Sequence, residues 1–452
     1  MANYDDLRPL FEPRSVAVVG VSRSGKQGAI FVDGLKDPGF KGNVYIVHPS
    51  AEEIMGIKAY PSISALPERP DLAVLVLPWE PALRVVKELA DAGVPGATVF
   101  TAGFNELGTA EGDARAEMLL RAANGKTRLI GPNGMGIYNP TRGLGMFGGM
   151  PTKAGGIGLI SQSGSLVSFL TRAISDRGLG FSKAVSMGNQ LDLNAADYLE
   201  YFADDPETTV ICGYIEGVPD GHRFKAALMR AAAAKPVILW KAGRVAAGAK
   251  AARSHTGQLA GDYAIWQALA RQAGAVLVRD AEELVDTVTA AHALTAYTEP
   301  GKRFAIIAGP GGPAVSASDA CEEAGLSLAE LSAGAIETLA GIIAAAGTSP
   351  QNPIDVGMVL VGATEHYGQC LRIALDEPTV DAAIVIGLSR EDPQGFARML
   401  AKHSRETGKP VLFALNEDFG PQSTHELLAD THIATAPSAE RALRAYARVV
   451  GA

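Results

Sequence analysis

The chain has 452 residues, too many for one hydrophobic core, and its 47% hydrophobic residues and 51 glycines are typical of α/β proteins. The net charge of −9 at pH 7 argues against general nucleic-acid binding. The first residues lack a basic-then-apolar signal pattern, and no apolar run approaches the roughly 20 residues of a membrane helix, so we expect no membrane association and a cytoplasmic location.

Residues 1–150 alternate short apolar runs with helical stretches such as EPALRVVKELADAG. Strands are expected at SVAVVG, NVYIVHP, DLAVLVLP, GATVFTAGF and RLIGPNGMGIYNP. Apolar runs without alternation are typical of strands that are buried on both faces. We therefore predict a doubly wound α/β domain of the Rossmann-like type over residues 1–150.

The rest of the chain contains an internal repeat. GGIGLISQSGSLVSFLTRA (155–173) resembles KRFAIIAGPGGPAVSASDA (302–320), and AKPVILWKAG (234–243) resembles GKPVLFALN (408–416). Each copy reads as a strand, a Gly/Ser turn and a helix, followed by further strand–helix pairs. This pattern predicts two flavodoxin-like domains, residues 151–298 and 299–452.

The two copies differ by one insertion. After AKPVILW the first copy needs about 35 residues to reach its last strand, about twice as many as the second copy needs after GKPVLFA. The excess carries SHTGQLAGD, in which His255 follows the small, basic run KAGRVAAGAKAAR. Insertions of this length in compact α/β domains tend to be functional or disordered.

The turn GVSRSGKQG (20–28) lies between the first strand and the first helix of the Rossmann-like domain. Such a turn can present backbone N–H groups to a phosphate, although it can also form without a ligand. NAD is disfavoured because the G-x-G-x-x-G spacing is absent and the second strand ends in His48-Pro49 instead of an acidic residue. Arg23 and Lys26 suit an extra phosphate group, which favours coenzyme A.

SQSGS (161–165) and GPGGP (309–313) are the matching turns of the two repeats. Each would expose backbone donors at a helix start, at the carboxyl end of its sheet. Two helix N-termini converging on one point would stabilise a phosphoryl group. The alternative is that both turns are inherited from the repeat and bind no anion. A serine nucleophile is disfavoured because SQSGS lacks the G-x-S-x-G elbow.

His255 is a candidate nucleophile, and the alternative is a solvated histidine without a role. A nucleophilic imidazole needs an accessible nitrogen, a carboxylate on its other nitrogen and stabilisation of the anion. Glu216, at the carboxyl end of the strand VICGYIEG, is the natural carboxylate. The other histidines are scattered without ligand spacing, and the three cysteines are far apart, so we expect no metal site and reduced core thiols.

Several of these segments together resemble the α subunit of the NDP-forming acyl-CoA synthetases, which are acid–CoA ligases of the ADP-forming acetyl-CoA synthetase type related to succinyl-CoA synthetase. The resemblance is carried by GVSRSGKQG, GPNGMG, SQSGSL, YIEG, ARSHTGQLAGD, AGPGGPAVSASDA and NPIDVG, and it covers essentially the whole chain. It implies that the first domain binds coenzyme A, that His255 becomes phosphorylated and that Glu216 steadies the imidazole.

The resemblance also assigns binding residues. It places two helix N-termini at the phosphate, through Ser163 and Gly164 and through Gly311 and Gly312. Asn133 of GPNGMG corresponds to an asparagine near the thioester end of coenzyme A. The remaining positions lie in the coenzyme A phosphate loop or border its pocket: Gly20, Ser22, Arg23, Lys26, Pro49 and Pro78.

Two features depart from the family pattern. His48-Pro49-Ser50 stands where relatives often have Asn-Pro-Lys after the second strand. Nothing in the chain resembles the ATP-grasp domains that exchange the phosphoryl group with nucleotide, and no Walker A sequence is present. The resemblance therefore implies a hetero-oligomer with a separate ATP-grasp β subunit, which would hold ADP or ATP with Mg²⁺.

The function expected from the resemblance is interconversion of acyl-CoA, ADP and phosphate with a carboxylic acid, coenzyme A and ATP, through an acyl phosphate and a phosphohistidine. The acid is left open. A non-catalytic acyl-CoA sensor of the same fold is the alternative, and it predicts binding of coenzyme A without phosphorylation. An NAD-linked oxidoreductase is a third possibility, disfavoured by the end of the second strand and the absence of a catalytic dyad.

Overall fold

The computed structural model of the chain describes residues 4–24, 28–248, 261–309, 311–343, 347–357, 362–387, 392–414 and 420–451. The chain forms two compact units. The first comprises Met1–Arg172 with Gly180–Arg279, and the second comprises Ala173–Leu179 with Asp280–Ala452. The division into three domains at residues 150 and 298 stays a prediction.

The first unit contains a seven-stranded sheet. Its strands are β1 (Ser15–Val19), β2 (Asn43–Val47), β3 (Glu53–Ile54), β4 (Ile57–Tyr60), β5 (Leu72–Leu75), β6 (Gly96–Val99) and β7 (Arg128–Ile130). They lie in the order β3-β4-β2-β1-β5-β6-β7, and all pairs are parallel except the β3–β4 hairpin. The accompanying helices are α1 (Tyr4–Phe11), α2 (Ala29–Lys36), α3 (Trp79–Asp91) and α4 (Ala110–Ala123). Strands β1 and β5 are buried throughout, which explains their unbroken apolar runs.

A second sheet completes this unit. It consists of β8 (Gly136–Tyr138), β9 (Ala154–Ser161), β10 (Phe181–Ser186), β11 (Val210–Ile215), β12 (Val237–Lys241) and β13 (Val276–Val278), in the order β13-β12-β11-β9-β10-β8. Its helices are α5 (Gly164–Ser175), α6 (Ala195–Asp204), α7 (Gly221–Ala234) and α8 (Tyr263–Ala273). The segment RLIGPNGMGIYNP, expected as one strand region, is divided between the two sheets: β7 joins the first sheet, and β8 pairs antiparallel with β10.

The second unit carries a third sheet. Its strands are β14 (Arg303–Ala308), β15 (Ser327–Leu328), β16 (Ile354–Asp355), β17 (Ala382–Ile386), β18 (Val411–Ala414) and β19 (Ala434–Ala436), in the order β15-β14-β17-β18-β19 with β16 also beside β14. Its helices are α9 (Ala281–Leu294), α10 (Gly311–Glu323), α11 (Ala333–Ala340), α12 (Ala363–Asp376), α13 (Pro393–Thr407), α14 (Gln422–Asp430) and α15 (Ala439–Val450).

The internal repeat predicted from the sequence is confirmed by strand order. The series β10-β9-β11-β12-β13 and β15-β14-β17-β18-β19 both follow the flavodoxin-like order 2-1-3-4-5. The predicted insertion is confirmed as well, because residues 242–275 separate β12 from β13, whereas residues 415–433 separate β18 from β19. The α/β class with one Rossmann-like and two flavodoxin-like sheets is therefore correct.

Two smaller expectations can be compared with the structure. Cys212, Cys321 and Cys370 are buried free thiols, as predicted. No helix in the described part of the chain combines the length and the apolar character that crossing a bilayer requires.

A buried ion cluster links β10 to the end of α6. Lys183 Nζ lies 3.0 Å from both carboxylate oxygens of Asp205 and 2.7 Å from Glu207 Oε2. The hydroxyl of Thr208 also donates to Asp205, at 2.6 Å. The side chains of Lys183 and Asp205 are completely buried. Removing one partner of such a pair leaves an uncompensated charge in a medium of low polarity.

Replacing Lys183 by Met is expected to lower the free energy of unfolding by about 3–5 kcal/mol, because Asp205 would stay buried without its partner. The exposed Arg230–Asp204 pair nearby is the matched control, and Arg230→Met should lower it by less than about 1 kcal/mol. Urea denaturation followed by circular dichroism measures both. Similar losses in the two variants would contradict the role assigned to the buried cluster.

Candidate functional site

The first cluster of predicted residues lies at the carboxyl ends of the parallel strands of the first sheet. Gly20 follows β1 with a φ of 97°, and a Cβ at this position would lie 2.3 Å from the carbonyl oxygen of Val76, directly after β5. Only glycine allows the two strand ends to approach in this way. Because strand order reverses at β1, this is the crevice where doubly wound sheets bind their ligands.

Arg23 is anchored across this crevice to the end of β2. Its Nη2 donates to the backbone oxygen of Ser50 at 2.8 Å and to the Ser50 hydroxyl at 2.6 Å. The Nδ1 of His48 accepts hydrogen bonds from the amides of Ser50 and Ala51, which fixes the turn around Pro49. The His48-Pro49-Ser50 departure from the family pattern thus provides the docking point for the arginine of the first turn.

The structure brings most of the predicted phosphate-loop residues together. Gly20, Ser22 and Arg23 belong to the turn after β1, while Pro49 follows β2 and Pro78 caps the start of α3 after β5. Gly28, which begins α2, adopts a left-handed conformation with a φ of 77°. Lys26 lies outside the described residues.

The loop between β7 and β8 connects the strand ends of the two sheets. The amide of Asn133 donates to the backbone oxygen of Thr101 at 3.0 Å, after β6, and the amide of Asn189 donates to the backbone oxygen of Pro132 at 2.9 Å, after β10. Gly188 has a φ of 54°, and a Cβ there would lie 2.2 Å from the Pro132 oxygen. Asn133, with a φ of 58°, is therefore held where the carboxyl ends of both sheets meet.

The same loop reaches the start of α5. A Cβ on Gly164, the first residue of this helix, would lie 2.7 Å from Met135 Cγ, and the amide of Met135 donates to Ser186 Oγ at 3.1 Å. Ser163 precedes the helix, and its hydroxyl accepts from the amide of Leu166 at 3.4 Å. The predicted thioester-end loop and the first predicted phosphate turn are thus neighbours within one unit.

Glu216 directly follows β11 and is buried, and its turn is held by side chains from three other strand ends. Gln162, after β9, accepts hydrogen bonds through Oε1 from the amides of Glu216 and Gly217. Gln190, after β10, donates to the Gly217 oxygen at 2.9 Å. Lys241, the last residue of β12, donates to the Glu216 oxygen at 2.8 Å. We call these three side chains, Gln162, Gln190 and Lys241, the Glu216 clamp.

The Glu216 carboxylate affects the pKa values of two neighbouring groups, Lys241 and Tyr214. Burial lowers the pKa of the Lys241 ammonium to about 8, although the Glu216 carboxylate acts to raise it. Burial, together with the charge and the hydrogen bond of the Glu216 carboxylate, raises the pKa of Tyr214. Tyr214 and Glu216 are two residues apart at the end of one strand and therefore point to the same face of the sheet.

The second predicted phosphate turn belongs to the other unit. Gly311 and Gly312 are the first residues of α10, after β14. A Cβ on Gly311 would lie 2.8 Å from Asp355 Oδ2, in the NPIDVG segment, and a Cβ on Gly312 would meet no atom within 4 Å. Asn352 of that segment donates to the oxygens of Phe304 and Ala329 at 2.8 Å and 2.9 Å. The NPIDVG segment thus packs against Gly311 at the start of α10.

The remaining predicted residue, His255, lies outside the described residues, whereas Glu216 is fully described. Sequence reasoning missed four residues that the structure brings to this site: Ser50, Gln162, Gln190 and Lys241. A lysine at the end of the apolar run VILWK is the one signal that could have indicated a buried cation.

The fold and this arrangement define a class: a coenzyme A-binding domain followed by a flavodoxin-like domain of the succinyl-CoA ligase type. Residues 14–140 match the CoA binding domain family, and residues 154–291 match the family described as succinyl-CoA ligase like flavodoxin domain.

More specific relatives are found over the full chain. The chain is 35% identical over 449 residues to the alpha subunit of ADP-forming acetate–CoA ligase II of Pyrococcus furiosus, covering 97% of this chain and 96% of that subunit. It belongs to the ADP-forming acyl-CoA synthetases and corresponds to their α subunits.

Two further comparisons concern a longer relative and a solved structure. ADP-forming acetate–CoA ligase I of Archaeoglobus fulgidus is 37% identical over 379 residues, covering 83% of this chain but 54% of that longer protein. The structure of acetyl-coenzyme A synthetase 1 of Ca. Korarchaeum cryptofilum, in complex with phosphate and ADP, is similar with a TM-score of 0.85 and 33% identity, over 98% of this chain and 96% of that one.

The close approach at Gly188 generates a test of the site's geometry. Gly188→Ala should lower the free energy of unfolding by about 1–3 kcal/mol, because the methyl group would strike a backbone oxygen at a left-handed residue. Gly221→Ala, at the start of α7 where a Cβ meets nothing within 4 Å, should be neutral or slightly stabilising. Urea denaturation of both variants measures the difference, and a neutral Gly188→Ala would refute the tight loop contact.

Proposed function

We propose that the chain is the catalytic α subunit of an NDP-forming acid–CoA ligase that works through an acyl phosphate and a phosphohistidine at His255. In the direction of ATP synthesis, an oxygen of inorganic phosphate attacks the thioester carbon of acyl-CoA, and the coenzyme A thiolate leaves. A nitrogen of His255 then attacks the phosphorus of the acyl phosphate, and the free carboxylate leaves. The buried Glu216, in the unit that also carries the coenzyme A-type turn, is the observation that carries this proposal.

Glu216 supports this chemistry through charge. A carboxylate that accepts a hydrogen bond from one imidazole nitrogen raises the electron density on the other and stabilises the cation that forms when this nitrogen is phosphorylated. The helix starts at Ser163–Gly164 and at Gly311–Gly312 would each offer backbone N–H groups to the phosphoryl oxygens. Transfer of the phosphoryl group then depends on positioning and charge stabilisation.

The turn after β1 fits coenzyme A. The close approach of Gly20 to Val76 places the turn at the strand crevice, and Arg23 adds a guanidinium group that can hold a phosphate by two hydrogen bonds. Pro49 and Pro78 would border the nucleotide, and Asn133 would lie near the thioester, at the meeting point of the two sheets.

We propose that the nucleotide binds to a separate polypeptide. The Pyrococcus relative of similar length is named a subunit, and the Archaeoglobus relative is longer, since the match covers 83% of this chain but 54% of that protein. We propose that an ATP-grasp β subunit completes the enzyme as a hetero-oligomer and holds ADP or ATP with Mg²⁺. Both relatives are named for acetate, so acetyl-CoA is the first thioester to test, followed by larger acyl groups.

Incubating the purified chain with phosphate and acyl-CoA should add one acid-labile phosphoryl group to His255, detected by intact mass. His255→Ala should abolish the adduct with no change in coenzyme A affinity, and Glu216→Gln should leave little stable adduct because the imidazole loses its anionic partner. Binding of coenzyme A without phosphorylation by any thioester would favour the sensor protein instead.

Arg23→Met should weaken coenzyme A binding about 10-fold, because a charge-assisted contact with a phosphate is lost. Arg69→Met is the control: Arg69 donates to the Gly93 oxygen, between α3 and the amino end of β6 and so at the edge of the sheet away from the crevice, and the variant should leave the affinity unchanged. Isothermal titration with coenzyme A and with NADH measures both. An unaltered affinity in Arg23→Met would remove this residue from the binding site, and tight NADH binding would contradict the choice of ligand.

A further inference from the structure

Every backbone polar group of the Glu216–Gly217 turn is occupied by a side chain of the Glu216 clamp. Gln162 accepts hydrogen bonds from both amides of the turn. Lys241 donates to the carbonyl oxygen of Glu216, and Gln190 donates to that of Gly217. The clamp residues follow or end three strands of the same sheet: β9 and β12, which flank β11, and β10, which lies beyond β9. They are all buried, so their hydrogen bonds form with little competition from water.

Lys241 is the charged member of the clamp. Its side chain is 1% exposed, and its ammonium also donates to the Ala242 oxygen and lies 5.2 Å from the centre of the Trp266 ring in α8. Glu216 is the charged group that acts on this ammonium, and the facing ring from α8 is uncharged. The observed hydrogen bond of this ammonium goes to the main chain of Glu216, and the attraction between the ammonium and the carboxylate acts in addition to it.

Comparing the two copies of the internal repeat distinguishes Lys241 from Lys235, a lysine with a purely structural role. Strand pairing aligns β12 with β18, so Lys235 corresponds to Lys409 and Lys241 to Leu415. Lys235 donates to the oxygens of Phe202 and Asp205, and Lys409 likewise donates to the oxygens of Leu375 and Glu377. The lysine at the amino end of the strand is thus common to both copies and serves the scaffold.

Glu216 and two members of the clamp, Gln162 and Lys241, in contrast occur in one copy. Strand pairing aligns Gln162 with Gly309, Glu216 with Leu388 and Lys241 with Leu415. Leu388 and Leu415 lie outside the described residues, but their identities alone exclude a charge or an amide there. The second copy folds into the same strand order without these side chains, so the fold itself does not require them.

We propose that Lys241, assisted by Gln162 and Gln190, is a positioning residue that holds Glu216 in place for the phosphorylated histidine. This inference rests on the proposed function. Lys241 acts through Glu216: its hydrogen bond fixes the main chain of the turn, and its charge attracts the carboxylate that would orient the imidazole. Loss of the clamp should therefore slow phosphorylation while leaving the separate coenzyme A crevice intact.

The test is a comparison of Lys241→Met with Lys235→Met in the full chain. With acetyl-CoA and inorganic phosphate, Lys241→Met should form the phosphoenzyme roughly 10- to 100-fold more slowly than the wild type, with its affinity for coenzyme A unchanged within about twofold. Lys235→Met removes a lysine with the same two-carbonyl geometry at the opposite end of β12, and it should phosphorylate at the wild-type rate.

A pH profile separates positioning from general loss of structure. Because the pKa of Lys241 is lowered to about 8, its ammonium is charged below that pH and loses its proton above it. The wild-type rate should fall as the pH rises through about 8, and Lys241→Met should lack this fall. Amide hydrogen exchange at Glu216 and Gly217 should be faster in Lys241→Met than in Lys235→Met.

The outcomes are distinct. A wild-type chain that is phosphorylated together with a Lys241→Met variant of equal rate and equal pH profile would overturn the inference and leave the proposed function standing. A wild-type chain that forms no phosphoenzyme with any thioester would overturn the proposed function, and the inference with it. If Lys241→Met does not fold, Gln162→Met replaces it, since slow phosphorylation supports the clamp and a wild-type rate overturns it.

Discussion

The passage of the chain from β7 to β8 is the constraint on which the first unit depends. Within five residues, 131–135, the backbone leaves the Rossmann-like sheet and enters the flavodoxin-like one. Backbone hydrogen bonds at Asn133 and Pro132 tie this short loop to the ends of β6 and β10, and glycine at position 188 permits the contact. The crevice of the first sheet is thereby held next to the carboxyl end of the second, where Glu216 and the start of α5 lie. Parallel strands make this arrangement general, since all their carboxyl ends, and the helix N-termini that follow them, share one edge.

Charge is distributed in this unit in a way that suits an anionic substrate, although the whole chain is acidic. Two cationic groups near the described strand ends are held by hydrogen bonds: Arg23 by Ser50, and Lys241 by two backbone carbonyls. A fixed donor needs no rearrangement when negative charge arrives, so its contribution to binding or to a transition state is not offset by reorganisation. The exposed ion pairs on the helix surfaces, such as Lys87–Asp91, are screened by water and contribute little to either.

Most of the fold could be predicted from the sequence because its signals are local. Unbroken apolar runs marked β1, β5 and β6, and the repeat between residues 155–173 and 302–320 gave the strand order of two sheets. The division of RLIGPNGMGIYNP between sheets could not be predicted, since both halves read as strands and the choice of partner depends on tertiary pairing. The same holds for the site. Glycine turns and the carboxylate at the end of VICGYIEG are visible as patterns, whereas the contact of Arg23 with Ser50 joins residues 27 positions apart.

The two flavodoxin-like copies show how a scaffold and a site can be told apart within one chain. Lys235 and Lys409 occupy the same position before the fourth strand of their sheets and make the same pair of carbonyl contacts, so their role belongs to the fold. Gln162, Glu216 and Lys241 have no counterpart in the second copy, whose aligned positions carry glycine or leucine. Burying a lysine, a glutamate and two glutamines in an apolar sheet edge is unfavourable unless each is paired, and the second copy reaches the same topology without doing so. The polar cluster in the first copy therefore requires an explanation other than stability, and the placement of the turn that carries Glu216 is the explanation that its contacts support.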